Sequence, residues 1–323
     1  MTVMSFTVVP LHNISLPKGS IVPFGKFTIQ EVPAWLLKDS ILKNLNSHDR
    51  AGVQKAKLAL VSEYEADSYG FHDPEWRGTQ PKSIQNLRWQ SALLANMSIW
   101  MVMPSPVCLT VGFHALDSLG GQKLKQPAII GPIERETTLY CHERDFPNTP
   151  TIQNLNIAAK LFERLSTVSR KNSVWPALRA FWAALSSYPA DLRYPLFWQG
   201  LESLFGSDDE IYGVSKRLRD RVSYFLADNA KVQQDLHDRV QRCYGKRSEI
   251  VHGRWEDSKE FHANHMYDTE CIVRTVVRHI ADEPGMLALF LSPDRNDWLE
   301  AWVASRAFTP PPFPPSIASA SMP

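Results

Sequence analysis

The chain predicts an α+β N-terminal domain followed by an all-α helical bundle. Up to about Pro150, short β-prone runs are punctuated by proline and glycine. Beyond Thr151 apolar residues recur at the three-and-four spacing of helices. The tail TPPPFPPSIASASMP is too rich in proline to pack. The divisions read from this texture are residues 1–150, 151–307 and 308–323, with the last expected to be disordered.

In the first part, Phe6 to Val9, Phe24 to Ile29, Leu58 to Tyr64 and Val107 to Phe113 read as strands. Between them Leu93, Leu94, Met97, Trp100 and Met101 suggest a helix over Leu87 to Met103, stopped by Pro104 and Pro106. In the second part six apolar faces follow one another. Leu155 to Val168 makes the first, and Leu178 to Leu185 the second, opened by Pro176. Leu196 to Phe205 makes the third, closed by Gly206, and Val214 to Leu226 the fourth. Val232 to Cys243 makes the fifth, and Ile272 to Ile280 the sixth, ahead of Pro284. A last short helix is expected around Trp298 and Trp302.

The chain has 323 residues, 44% hydrophobic and 21% charged, the composition of an ordinary soluble globular protein. Its net charge is +1, so attraction to a polyanion has to come from local clustering. Cys108, Cys141, Cys243 and Cys271 lie far apart, without the spacing of a zinc site or a disulfide framework. The N-terminus lacks the charged start and apolar core of a signal peptide. The longest apolar stretches, such as Ile99 to Met103, are too short for a bilayer. A reduced cytoplasmic protein with no membrane segment is the expectation.

The chemistry gathers late in the helical half. The run Lys246-Arg247-Ser248-Glu249-Ile250-Val251-His252-Gly253 sets an arginine and a histidine five positions apart and then ends the helix with glycine. Arginine presents a planar fork of donors that suits phosphate, and histidine moves a proton near pH 7. Five helical positions rotate by roughly 140°, so the two do not share a face. Upstream, Glu202 is the one acid of the segment Trp198 to Gly206. Lys216, Arg217, Arg219 and Arg221 give the next helix a basic face, and basic residues outnumber acidic ones from Ile211 to Trp255.

Together the LESLFG segment, the arginine-rich helix and RSEIVHG resemble the HEPN superfamily, in its ApeA-like branch, across roughly Leu192 to His279. Arg247 and His252 are similar to that family's R-x4-6-H motif. The resemblance implies a HEPN-like bundle that forms a homodimer, bringing two Arg/His pairs to one cleft. It also implies a metal-independent endoribonuclease with RNA as partner, working in prokaryotic anti-phage defence or growth arrest, without a cofactor. RNA carries its own nucleophile, the 2′-hydroxyl. His252 would take that proton or protonate the departing 5′-oxygen, and Arg247 would neutralise the charge growing on phosphorus. Glu202 and Ser248 are the expected supporting residues, and Arg217, Arg221, Lys246 and Arg254 the expected RNA contacts. Ser248 stands where active members often carry a more polar residue. Arg254 stands where some members carry a modified tyrosine, so that regulation does not transfer. The other reading is a catalytically inactive HEPN-type scaffold for RNA or protein.

Plainer roles stand beside these. His252 can simply complement a helix C-terminus, and Arg247 can pair with Glu202 or Glu249. Arg217 and Arg221 can lie on a solvated face. His262 and His265 form an H-x-x-H that reads as surface, with no metal expected. Trp255 reads as packing before it reads as a base-stacking platform.

Overall fold

The N-terminal sheet is built around strand β1, Thr2–His12. The run FTVVPL is apolar on successive residues, not alternate ones, because both faces of the strand are covered. Val9 and Leu11 enter one core and Val8 the opposite one. These observations come from a computed structural model, which describes residues 2–43, 45–67, 80–109, 111–119, 122–132, 137–138, 148–168, 174–187, 189–206, 213–314 and 317. The chain divides into two compact units, Met1–Ser166 and Thr167–Pro323.

In the first unit β2 (Val22–Phe24) and β3 (Phe27–Glu31) form a hairpin. Two short helices follow, α1 (Asp39–Leu42) and α2 (Ser47–Lys55), then β4 (Leu58–Asp67) and α3 (Gln80–Val102). The strands β5 (Cys108–Leu109), β6 (Phe113–Leu119), β7 (Gln122–Pro132) and β8 (Thr137–Thr138) complete an antiparallel sheet. Its order is β2-β3-β4-β1-β5-β8, with β6 also pairing with β1 and β7 with β6. The register of β1 on β4 runs from Thr2↔Asp67 to Leu11↔Leu58.

Helix α4 (Ile152–Ser166), read above with the helical half, belongs to this unit. Its Leu155, Ala158 and Phe162 join Val9, Leu11 and Leu60 of the sheet and Ala92, Ala95 and Ile99 of α3. The hairpin turn explains the close fit. Gly25 has φ +60°, and a Cβ there would lie 2.6 Å from the Phe162 ring. The strand expected over Phe24 to Ile29 is thus two strands and a turn. Side chains on the far face, Leu36, Ile41, Leu42 and Val53, close over Val8, Ala59 and Val61.

The second unit is helical: α5 (Val174–Ser186), α6 (Ala190–Phe205), α7 (Val214–Leu226), α8 (Ala230–Val251), α9 (Tyr267–Asp282), α10 (Pro284–Leu291) and α11 (Arg295–Ser305). One turn of π-helix, Phe261–Met266, leads directly into α9. Helix α6 touches α5, α7, α8 and α9 and forms the middle of this unit. Gly200 permits its approach to α5, since a Cβ there would lie 2.2 Å from the Phe181 ring.

Helix α6 begins six residues before Leu196 and contains Pro195. Its extra turn is anchored by buried Arg193, which donates from Nε and Nη2 to the Ser187 carbonyl at 2.9 and 2.6 Å. At the other end Gly206 is extended (φ −73°, ψ 167°) and does not fold back over the last carbonyls. The Gly206 N–H donates to Glu202 O at 2.7 Å, and two buried arginines reach two of the carbonyls beyond it. Arg221 Nη1 donates to Phe205 O at 2.8 Å, and Arg295 Nη1 donates to Ser203 O at 3.0 Å.

Of the tail expected to be disordered, residues 308–314 and 317 are placed against the second unit, and the others lie outside the described residues. Phe308 stacks on Tyr224 at 5.9 Å and Phe313 on Trp298 at 6.0 Å. Trp298 Nε1 also donates to Pro311 O at 3.3 Å. Aromatic residues set among the prolines supply the apolar area that composition alone did not credit. Among the described residues no helix is long and apolar enough to cross a membrane.

Candidate active site

Helix α8 carries the arginine and the histidine, and both of its ends are fixed. Asn229 caps the start, its side chain accepting from the Val232 N–H at 3.0 Å. At the far end His252 is the cap residue (φ −92°, ψ 9°), and Gly253 follows at φ +66°. The Gly253 N–H donates to Ile250 O at 2.9 Å and the Arg254 N–H to Glu249 O at 2.8 Å. These are the two bonds of a Schellman motif. The His252 N–H donates to Ser248 O at 3.1 Å, so the cap is wholly main chain. The His252 ring takes no part in it, and the residue is exposed. The helix therefore ends where the glycine indicated. Because α8 is unbroken through Val251, the rotational offset from Arg247 to position 252 stands.

Arg247 turns toward α6. Its Nη2 lies 3.4 Å from Glu202 Oε1, with the two side chains 28% and 24% exposed. The Tyr244 hydroxyl donates to the same oxygen at 2.8 Å. The guanidinium also lies over the Tyr244 ring, 5.6 Å from its centroid. Arg247 Nε is buried and has no hydrogen-bond partner among the described residues. Burial, then the hydrogen bond to Glu202 and that carboxylate's charge, push the Tyr244 hydroxyl up to about 12. Tyr244 is thus a neutral donor at any working pH, and it helps hold the carboxylate that faces Arg247.

An aromatic column supports the trio. Tyr244 meets Trp198 edge-on at 5.4 Å, Trp198 meets Tyr194 at 6.4 Å, and Tyr194 meets Phe261 at 5.2 Å. Trp255 closes the row against Phe261 at 5.0 Å, which places it in packing. Tyr194 is pinned in turn, donating to Cys243 O at 2.8 Å and accepting from Thr269 Oγ1 at 3.2 Å. Burial raises both the Tyr194 hydroxyl and the Cys243 thiol, the latter to about 11.

The expected RNA contacts scatter. Lys246 is paired with Glu249 at 2.6 Å, and Arg254 is exposed just past the cap. Ser248 is exposed and gives its carbonyl to the cap. Arg217 is half-buried on α7 and, with Lys216, lines a depression of about 400 Å³. Arg221 is corrected outright. It is 2% exposed, and its guanidinium is engaged by Phe205 O, by Asn296 Oδ1 at 3.2 Å and by Glu300 Oε1 at 3.0 Å. It braces α6 from the floor of that same depression, with its donors already taken up within the chain. On the other side of α8, Arg242 and Arg239 face Asp268 at 2.7 and 4.0 Å.

The two histidines of the H-x-x-H stand on the π-turn. His262 Nε2 contacts Asp257 Oδ1 at 2.6 Å, and the His265 ring stacks on Phe261 at 6.1 Å. Among the described residues no three His, Cys, Asp or Glu side chains gather as a metal site. Cys141 lies outside the described residues.

Tyr244 stands in the sequence among the basic residues leading to His252 (Arg239, Arg242, Lys246 and Arg247), and its role beside Glu202 is the one that sequence reasoning did not assign. Its place three positions before Arg247, on the same helix face, was the available signal. No family model, curated protein or solved structure matches the chain.

Proposed function

We propose that this protein is a metal-independent endoribonuclease of the HEPN kind, acting in prokaryotic anti-phage defence or growth arrest. One observation carries the reading. An exposed histidine stands on a cap that does not need its side chain, five residues beyond an arginine oriented by Glu202 and Tyr244.

The scheme uses the substrate's own nucleophile. The 2′-oxygen attacks the adjacent phosphorus as His252 takes its proton, and the bond to the 5′-oxygen breaks. That oxygen is protonated by the His252 of a second subunit or by water, leaving a 2′,3′-cyclic phosphate and a 5′-hydroxyl. Arg247 stabilises the charge on the non-bridging oxygens. Because His252 and Arg247 leave α8 in different directions, a homodimer is part of the proposal: the arginine of one copy meets the histidine of the other.

The test is cleavage of labelled RNA in EDTA by the wild-type chain, His252→Ala and Arg247→Ala. Activity that survives the chelator and falls at least about 100-fold in each variant supports the enzyme. RNA binding without cleavage by the wild-type chain supports the alternative, a catalytically inactive scaffold for RNA or protein. Ser248 beside the arginine and the net charge of only +1 favour that alternative.

A further inference from the structure

The first unit contains a cavity that the nuclease reading does not use. It opens where β1 ends, at the last rung of the β1–β4 ladder, Leu11↔Leu58. The next residues outward, His12 and Lys57, both line it, as does Lys55 at the end of α2. It is an open cleft of about 500 Å³, large enough to admit a small molecule with one side left to solvent.

Its chemistry is one-signed. The ionisable groups in the lining are Lys55, Lys57 and His12, with no carboxylate among the described lining residues. Neither lysine has an ion pair among the described residues, although the chain as a whole is nearly neutral. A concave surface lined by uncompensated cations concentrates anions. Ser15, Asn148 and Thr149 add short polar side chains that can meet hydroxyls, and the buried Ile14 supplies an apolar wall.

The rim is held in an unusual shape. Asn13 sits at φ +57°, a region that asparagine enters at lower cost than most residues. Its Nδ2 donates to Pro106 O at 2.8 Å, which ties the end of β1 to the segment before β5. Both Asn13 and Pro106 line the opening, so this bond fixes one part of its wall.

We infer that this cavity binds a small phosphorylated molecule of about mononucleotide size through Lys55 and Lys57. Two ammonium groups act as point charges and match a phosphate monoester dianion, whereas a planar carboxylate is better served by the arginine fork, which the lining lacks. The inference stands independently of the ribonuclease reading.

Calorimetric titration of the full chain with 5′-AMP, inorganic phosphate and adenosine tests it. Binding of 5′-AMP, or of 5′-AMP and phosphate alike, with adenosine at least about 10-fold weaker than 5′-AMP, is the expected result; binding of phosphate alone overturns the proposal in favour of the free anion. Lys55→Gln with Lys57→Gln should weaken binding at least about 10-fold while leaving the thermal melt unchanged, because both side chains are exposed. No binding of any of the three at millimolar concentration overturns the proposal. So does adenosine binding as tightly as 5′-AMP, or affinity unmoved by the double substitution.

Discussion

At the scale of the residue, the trio Glu202, Tyr244 and Arg247 concentrates the energetics of the candidate site. Tyr244→Phe keeps the ring under the guanidinium and removes only the donor to Glu202 Oε1. Chemical denaturation should register a loss of about 1 kcal/mol. If the nuclease reading holds, cleavage should fall further than that loss alone would produce, because Arg247 loses its fixed neighbour. Gly253→Ala addresses the other half of the site. A Cβ at Gly253 meets nothing within 4 Å, so its cost is backbone strain alone, about 1–2 kcal/mol at φ +66°. Thermal melts should fall accordingly, and Gly253→Asn should fall less.

At the scale of the element, the contact of α5 with α6 and the π-turn make separate predictions. Gly200→Ala would set a Cβ 2.2 Å from Phe181, which is itself buried, and should cost about 1–3 kcal/mol by denaturant titration. His265 and His279 both have proton affinities lowered first by burial; Lys246 and Arg242 add to this at His265, against Asp268 and Glu249, while Asp282 and Glu283 oppose it at His279. A histidine that resists protonation when folded leaves the unfolded chain binding more protons. Stability is therefore greatest above the unfolded value of about 6.5 and declines as pH falls through it toward the lower folded value. Melting temperatures measured from pH 7.5 to 5 should drop, and His279→Gln should flatten the drop.

The helices of the second unit were legible because their apolar faces keep a strict period. Helix α10 was not, since Pro284, read as a stop, is also the residue that opens a helix. β7 was missed for lack of apolar alternation in Gln122–Pro132. In the candidate site, Arg247, His252 and Glu202 stood out by residue type and spacing, whereas Tyr244, set among the basic residues before His252, drew no role because its contact with Glu202 lies on another helix. Arg221 was misread because charge spacing carries no information about which helix end has open carbonyls.

At the scale of the molecule, each unit has its own core and its own candidate chemistry. The second unit extends further along the chain than composition indicated. Ile317 is 6% exposed, and a Cβ on Gly285 would lie 2.6 Å from the Phe313 ring. Truncation after Ala307 removes Phe308, Phe313 and Ile317 together and should lower the melting temperature by at least about 5 °C. An unchanged melt would show that these contacts contribute nothing in solution.

The main-chain cap of α8 also separates two kinds of evolutionary pressure. Folding constrains Gly253, because only its backbone freedom closes the helix. It places almost no demand on the side chain at 252, which the cap leaves outside its bonds. Among descendants of this sequence, the cap tolerates drift at 252 so long as the glycine stays fixed. A histidine retained there would call for an explanation other than the main-chain cap, and the proposed chemistry is one such explanation.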